Sequence, residues 1–432
     1  MGWFLGMGFG TYGWNGRWSG NAKKDIARPN LFVDMATSLE RAGFDYMMLE
    51  DASNVPDVYK NSLEPALRGG QLRNDPMALV PLLGQATKHL GIIATAATSF
   101  YPPYLAARLF TTLDNLTDGR FGANLVTASS HGAAQNYGLD KHFEHDLRYE
   151  MADEWVECVK ALWDTWEPGA LVLDEETGVV ADASKVHYAD FKGRWFASRG
   201  PLNSIPAPQG HPVICQAGGS PAGRDFGAKH ADTIIASLVE EPGVDNMKEY
   251  RDDISKRMVA YGRKPTDAKV LFLAQPIMAD TEEAAWEKRN AMVARAAADT
   301  EGVLQAMSYF SGKDFSGFDV DAIVPEVEDH NGHQSLINAF VREHKGKTFR
   351  QAAADRAQTI GSVELVGTPE SVAVQMGEIM DYVGGDGFLI RGPLDRAIIT
   401  EICDGLAPQL RRRGLIRSEY TFDQFRDNLL EF

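Results

Sequence analysis

Residues 91–127 read GIIATAATSFYPPYLAARLFTTLDNLTDGRFGANLVT. The run from Gly91 to Thr98 is short, continuous and apolar, the pattern of a strand buried on both faces. Pro102 and Pro103 then open a helix, because a proline in the first turn lacks only an N–H that has no partner there. The helix continues through Leu116, Asp118-Gly119 is a turn, and RFGANLVT, residues 120–127, is a second buried strand. Strand, helix and strand in direct succession predict a β-α-β unit with its strands parallel.

The same alternation extends in both directions. Upstream, Gly2 to Phe9 reads as a strand. Asn30 to Ala42 places Leu31, Met35, Leu39 and Ala42 at helical spacing before Gly43, and FDYMMLED, residues 44–51, is a buried strand ending in two acids. Asp75-Pro76 opens a helix to Leu90. Downstream, His145 to Trp166 is a long amphipathic helix. Strands at 212–217, 232–237, 268–277 and 386–392 then alternate with helices at 220–230, 244–261, 281–298, 368–383 and about 395–413. Eight strands alternating with helices in 432 residues predict an α/β fold, a TIM (β/α)8 barrel with insertions, in preference to a doubly wound sheet. The chain, 1–432, reads as a single barrel domain with insertions at about 167–210 and 299–360 and a tail at 415–432. The first insertion is expected as a hairpin over one barrel mouth, and both insertions as walls of the substrate pocket. The polar tail, with its aromatics, is expected to wrap a neighbouring element or subunit.

Composition narrows the function. A chain with 44% hydrophobic and 24% charged residues has ample material for a core. Its formal charge of −17 argues against nucleic-acid and anionic-membrane partners. Cys158, Cys215 and Cys403 stand far apart without metal-ligand spacing and read as buried free thiols. The start, MGWFLGMGFGTYGWNG, has neither a basic leader nor a long apolar run, so the expected location is cytoplasmic. Met1 stands close before the first strand, which leaves open whether the N-terminus is complete.

In a barrel of parallel strands the C-terminal strand ends share one face, and ligands bind there. That face collects the Gly10 to Gly20 loop, Glu50, Asp51, Thr95, Thr98, Ser99, Asn124, Thr127, Ser129, Ser130, Gly218, Gly219, Ser220 and Arg391. This set is polar and glycine-rich, with no metal-ligand cluster, no Gly-x-Ser-x-Gly elbow and no Cys/His pair. It suits a bound cofactor better than a side-chain nucleophile, and no catalytic residue or metal ligand is assigned. In QAGGSPAGRDFGAKHAD, residues 216–232, a strand runs into a helix with Ser220 as N-cap and Pro221 as first helical residue. Such a start either cradles an anion or simply links strand to helix. Its G-x-S-x-x-G spacing departs from the dinucleotide fingerprint. His145 and Tyr149 stand four apart and share a helical face. They either hydrogen-bond a ligand together, or His145 or Asp146 caps the helix while Tyr149 packs. His330 and His333 read as exposed loop histidines rather than metal ligands. The aromatic segment WFLGMGFGTYGWNGRW, residues 3–18, reads as both pocket lining and packing for the barrel mouth.

Four segments in order, FDYMMLED, GIIATAATSFYPPYLAARLFTTLDNLTDGRFGANLVTASS, HDLRYEMADEW and PVICQAGGSPAGRDFGAKHAD, resemble the bacterial-luciferase-like flavin monooxygenases. The likeness is to the nitrilotriacetate, EDTA, dibenzothiophene sulfone and dimethyl sulfide monooxygenase subgroup. It implies a two-component enzyme that takes reduced FMN from a separate NAD(P)H-dependent flavin reductase, uses O2 to oxidise a small organic substrate, and forms a homodimer or homotetramer. Cleavage of a C–N, C–S or C–halogen bond is within the implied chemistry. The resemblance places the FMN site on Asp51, on Thr95 or Thr98, on Asn124 with Thr127, and on His145, Tyr149, Gly219 and Ser220. The run TAAT leaves the choice between Thr95 and Thr98 open. Pro221 stands where the family often has a second small polar residue, so the phosphate would rely on Ser220 and backbone N–H groups. Three alternatives share the scaffold: a flavin-degrading lyase acting on riboflavin, a deazaflavin-dependent hydride-transfer enzyme, and a non-catalytic flavin-binding protein.

Overall fold

The computed structural model describes residues 1–10, 28–239, 241–325, 334–392 and 394–431. Eight parallel strands close into a barrel: β1 (Gly2–Leu5), β2 (Tyr46–Leu49), β3 (Gly91–Ala97), β4 (Phe121–Val126), β5 (Val213–Gln216), β6 (Thr233–Ala236), β7 (Lys269–Ala274) and β8 (Gly387–Arg391). Each pairs with its neighbour in this series, and β8 pairs with β1. All eight fall within the stretches read as strands from sequence. The principal helices are α1 (Asn30–Ala42), α2 (Val80–Ala86), α3 (Pro103–Leu116), α4 (His145–Trp163), α5 (Pro221–His230) and α6 (Val244–Ala260). After β7 come α7 (Glu282–Ala298), α8 (Thr300–Ser311), α9 (Gln334–Glu343) and α10 (Phe349–Ala357), and α11 (Pro369–Val383) leads into β8.

Several element ends differ from the sequence reading, and two of them have a visible cause. β1 stops at Leu5 rather than Phe9, because Met7 and Gly8 take left-handed conformations and the Gly8 N–H returns to the Leu5 carbonyl at 2.9 Å. A Cβ at Gly8 would lie 1.9 Å from the Glu50 carbonyl oxygen, so only glycine fits this crossing. α2 ends at Ala86 rather than Leu90, because the Glu40 carboxylate accepts the N–H groups of Lys88, His89 and Leu90 at 2.8, 2.7 and 2.9 Å. Those donors are taken from the helix by a charged acceptor on α1.

The barrel interior is filled by Tyr46, Met48, Ile93, Val213, Ile235 and Leu271 with their neighbours, and a larger apolar shell joins strands to helices. The tail closes the N-terminal end of its own barrel. Its helix, Phe425–Glu431, inserts the fully buried Phe425 edge-on to Tyr46 at 5.9 Å. A Cβ on Gly91 would come within 2.4 Å of the Phe425 ring, and one on Gly122 within 3.3 Å.

The first insertion does not cover the mouth. Glu154 of α4 accepts the N–H groups of Arg194, Trp195 and Phe196, and Gln209 bonds both Asp114 of α3 and the Phe121 carbonyl at the start of β4. These anchors hold 167–210 against the outside of α3 and α4 and the N-terminal end of β4, the end opposite the ligand face. The second insertion does sit at the mouth, as α8 to α10 around Leu304, Met307, Phe315, Ile337, Phe340 and Phe349. The loop after Gly10 up to Gly20, the second half of the aromatic segment 3–18, and His330 and His333 lie outside the described residues. Cys158, Cys215 and Cys403 are buried and free. No helix among the described residues is long and apolar enough to cross a membrane.

Candidate functional site

β3 and β4 pair with Thr95 opposite Asn124. Ile93 and Gly122, two residues earlier on each strand, face the interior, so the period of two turns Thr95 and Asn124 inward in the layer above. Thr95 Oγ1 donates to the Leu49 carbonyl at 2.8 Å and is therefore left to accept from Asn124 Nδ2 at 3.0 Å. That arrangement fixes the amide, and Asn124 Oδ1 remains a buried acceptor with no partner among the described residues. Thr98 stands an odd number of residues from Thr95 and turns away, its hydroxyl on the Val126 carbonyl at 3.3 Å.

Thr95 and Asn124 line a cavity of about 280 Å3 at the C-terminal end of the barrel. Asp51, Thr127, His145, Tyr149, Gly219 and Ser220 line it too. Of the residues singled out as binding groups, only Thr98 is outside. Arg391, named among the strand ends, lines a different cavity at the same mouth.

One end of the cavity gathers polar side chains around a helix N-terminus. Ser220 caps α5, its Oγ accepting the Gly223 N–H at 3.2 Å, and Pro221 is the first helical residue. Gln216 Oε1 accepts the Gly218 N–H at 2.7 Å. The Tyr149 hydroxyl bonds the side chains of Ser220, Gln216 and Thr127, while burial holds its phenol above the ordinary range and hence neutral. Gly218 and Gly223 meet backbone to backbone beneath it: a Cβ on Gly218 would lie 2.7 Å from both Gly223 Cα and Tyr149 Oη. The glycines are therefore demanded by this packing, whatever the ligand. Arg148, 1% exposed, brings a guanidinium to the wall, donating to the Phe143 carbonyl at 3.3 Å; burial pushes its pKa down to about 10, so it stays a cation at neutral pH.

His145 Nδ1 is 2.7 Å from Asp146 Oδ1, and its ring stands edge-on to Tyr149 at 5.2 Å. The cap of α4 falls on Glu144, without a side-chain hydrogen bond, so neither His145 nor Asp146 caps the helix. At the second strand end, Glu50 accepts from the Met7 N–H and from Arg73. Asp51 beside it has no such cation bonded: burial, reinforced by Glu50 and Asp75, pushes its carboxyl up to about 6.

Sequence reasoning missed several lining residues. Arg148 stands three after His145 and one before Tyr149, so the helical period alone places it near that face. Phe100 lines the cavity between the stacked rings of Tyr137, 4.4 Å away, and His142, 5.4 Å away. Burial and the Arg148 charge push His142 down to about 4, and as a neutral ring its Nε2 reaches the Thr127 carbonyl at 3.1 Å. Tyr309 arrives from α8, deep in an insertion, and has no local sequence signal.

Among the described residues no cluster of three or more His, Cys, Asp or Glu is placed to hold a metal ion. The donor set instead fits FMN. α5, Ser220, Tyr149 and Arg148 suit a phosphate, and the buried Asn124 Oδ1 suits a ring N–H. Met48, Val126 and Phe100 supply apolar wall for a planar ring system.

The family model described as luciferase-like monooxygenase matches residues 7–387. A dibenzothiophene-sulfone monooxygenase of Rhodococcus erythropolis is 34% identical over 420 residues, covering 95% of this chain and 91% of that protein. The crystal structure of DmoA from Hyphomicrobium sulfonivorans superposes with a TM-score of 0.86 at 32% identity, covering 100% of this chain and 92% of the other. A riboflavin lyase, solved with modified FMN and its substrate riboflavin, superposes with a TM-score of 0.87 at 30% identity, covering 100% and 95%.

Proposed function

The chain belongs to the luciferase-like monooxygenase family of flavin-dependent oxidoreductases, and from that premise we propose that it is the oxygenase of a two-component system. In this reading it binds reduced FMN delivered by a separate NAD(P)H-dependent reductase and oxidises a small organic substrate with O2. It works in the cytoplasm as a homo-oligomer. The observation that carries the reading is the convergence of two unlike features on one cavity: an anion-binding end at α5 and Arg148, and a buried, unpartnered amide oxygen at Asn124.

Reduced FMN, when bound, supplies the electrons that activate O2. The protein's own work is positional. Ser220, Tyr149, Arg148 and the N-terminal end of α5 hold the phosphate, where helix dipole and guanidinium both favour negative charge. Asn124, fixed by Thr95, accepts a ring N–H, and an unpaired acceptor of this kind makes the bound state favourable by ending its desolvation cost. Tyr149 stays protonated and donates rather than acting as a base. The apolar wall keeps water from the reacting face.

Anaerobic titration with reduced FMN, with bound and free flavin separated by ultrafiltration, tests the binding step. Oxygen uptake with NADH, FMN and a generic flavin reductase then tests substrate-dependent oxidation. Absence of FMN binding would sink the proposal. A second reading, riboflavin as the molecule consumed, is favoured by the likeness to the riboflavin lyase; loss of riboflavin from the same mixture decides for it.

A further inference from the structure

The barrel mouth carries a second cavity that flavin binding does not use. Its volume is about 400 Å3, and it lies by the ends of β6, β7 and β8, where Val239, Gln275 and Arg391 reach it. The FMN cavity takes its walls from the strand ends of β1 to β5. Two cavities therefore divide one mouth between them. The outer wall of the second is apolar: Met292 and Val293 from α7, Val303, Met307 and Phe310 from α8, and Phe340 from α9. α8 runs between the two, with Tyr309 lining the FMN cavity and Met307 and Phe310 lining the other.

The charged side chains of the lining are engaged within the protein, while Gln275 and Thr359 add uncharged polar groups. The Asp299 carboxylate caps α8 by accepting the Gly302 N–H at 2.9 Å, and neither Arg356 nor Arg391 lacks an interaction within the protein. A polycarboxylate entering this chamber would lose its water without gaining an unengaged cation, which is costly. The formal charge of −17 also opposes the approach of a polyanion. The volume equals that of about thirteen liquid waters, room for a body of one or two rings or a short alkyl chain.

Resting on the FMN reading above, we propose that this chamber holds the body of the substrate, and that the substrate class is an uncharged alkyl or aryl compound rather than a polycarboxylate. The test is a fluorescence titration of the full chain with N-phenyl-1-naphthylamine, an uncharged apolar probe, with and without saturating FMN. The expected result is probe binding that FMN and nitrilotriacetate leave unchanged. Ala306→Trp, which fills the chamber from α8, should weaken the probe by about tenfold or more while FMN affinity stays within about twofold. Met292→Lys places a charge on the opposite wall and should give the same loss without relying on a bulky side chain. Displacement of the probe by FMN or by nitrilotriacetate, or unchanged probe affinity in both variants, would overturn the assignment. Failure of the wild-type chain to bind FMN would instead overturn the flavin reading, and with it the chamber's role as a substrate site, even with probe binding as expected.

Discussion

Ser220 joins two structures: its oxygen caps α5 through Gly223 and also bonds the Tyr149 hydroxyl. Replacing it by alanine should cost about 1 kcal/mol of stability through the lost cap and weaken FMN by about tenfold, the worth of one hydrogen bond to a charged group. Tyr149→Phe leaves the cap in place, so FMN affinity should fall without the cap's share of the melting-temperature loss. Fluorescence titration beside thermal melts separates the two; unchanged FMN affinity in both variants would reduce the turn to a strand-to-helix link. Asp51 makes a prediction in pH. Its folded pKa of about 6 lies above the ordinary 3.8, so the stability it contributes is full below about pH 4 and is lost as pH rises to about 6. At 1.36 kcal/mol per pKa unit this is at most about 3 kcal/mol. His142, depressed from 6.5 to about 4, runs the other way over the same window, losing stability as pH falls. Asp51→Asn should therefore gain stability over wild type more at pH 7.5 than at pH 4 in urea unfolding. At this scale much of the site was legible. Strand-end position led to Asn124 and Ser220 and helical spacing to Tyr149, all of which line the cavity, and strand parity with Ile93 distinguishes Thr95 from Thr98. Tyr309 was beyond reach, because only the packing of a distant insertion puts it there.

Between elements, the turn from β5 to α5 depends on contact between two backbones. Gly218→Ala would drive a methyl into Gly223 Cα and the Tyr149 hydroxyl. The expected cost is about 1–3 kcal/mol from overpacking, with weaker FMN binding because Tyr149 must move. A melting curve and an FMN titration on one sample check both. A glycine-rich turn is easy to see in sequence, but which glycine is fixed by packing and which by a ligand is not, since Tyr149 comes from another helix. The end of α2 has the same character: Glu40 halts it from a different helix. Local spacing locates helices well and their ends less well wherever the terminating partner is remote in sequence. The first insertion was misplaced for this reason, its anchors being Glu154 on α4 and Asp114 on α3.

At the scale of the whole molecule, the barrel separates chemistry from closure. The cavities open at the C-terminal strand ends, and Phe425 seals the opposite floor against Gly91, Gly122 and Tyr46. Phe425→Ala should cost about 3–5 kcal/mol, the range for emptying a buried aromatic site, yet leave FMN affinity within about twofold where the protein remains folded. Denaturant titration with FMN binding in parallel tests that separation, and a matched loss of FMN affinity would count against it. The barrel itself was legible because eight apolar strands recur with helices between them. The tail was not, because its partners are two glycines far back in the chain whose missing side chains are the socket for its ring.

That socket also has a meaning in time. Residues 425–431 are synthesised after all eight strands, so a nascent chain can assemble every staves of the barrel and still lack its bung. A protease trimming the chain back past Phe425 would undo the last step of construction rather than shorten a loose end.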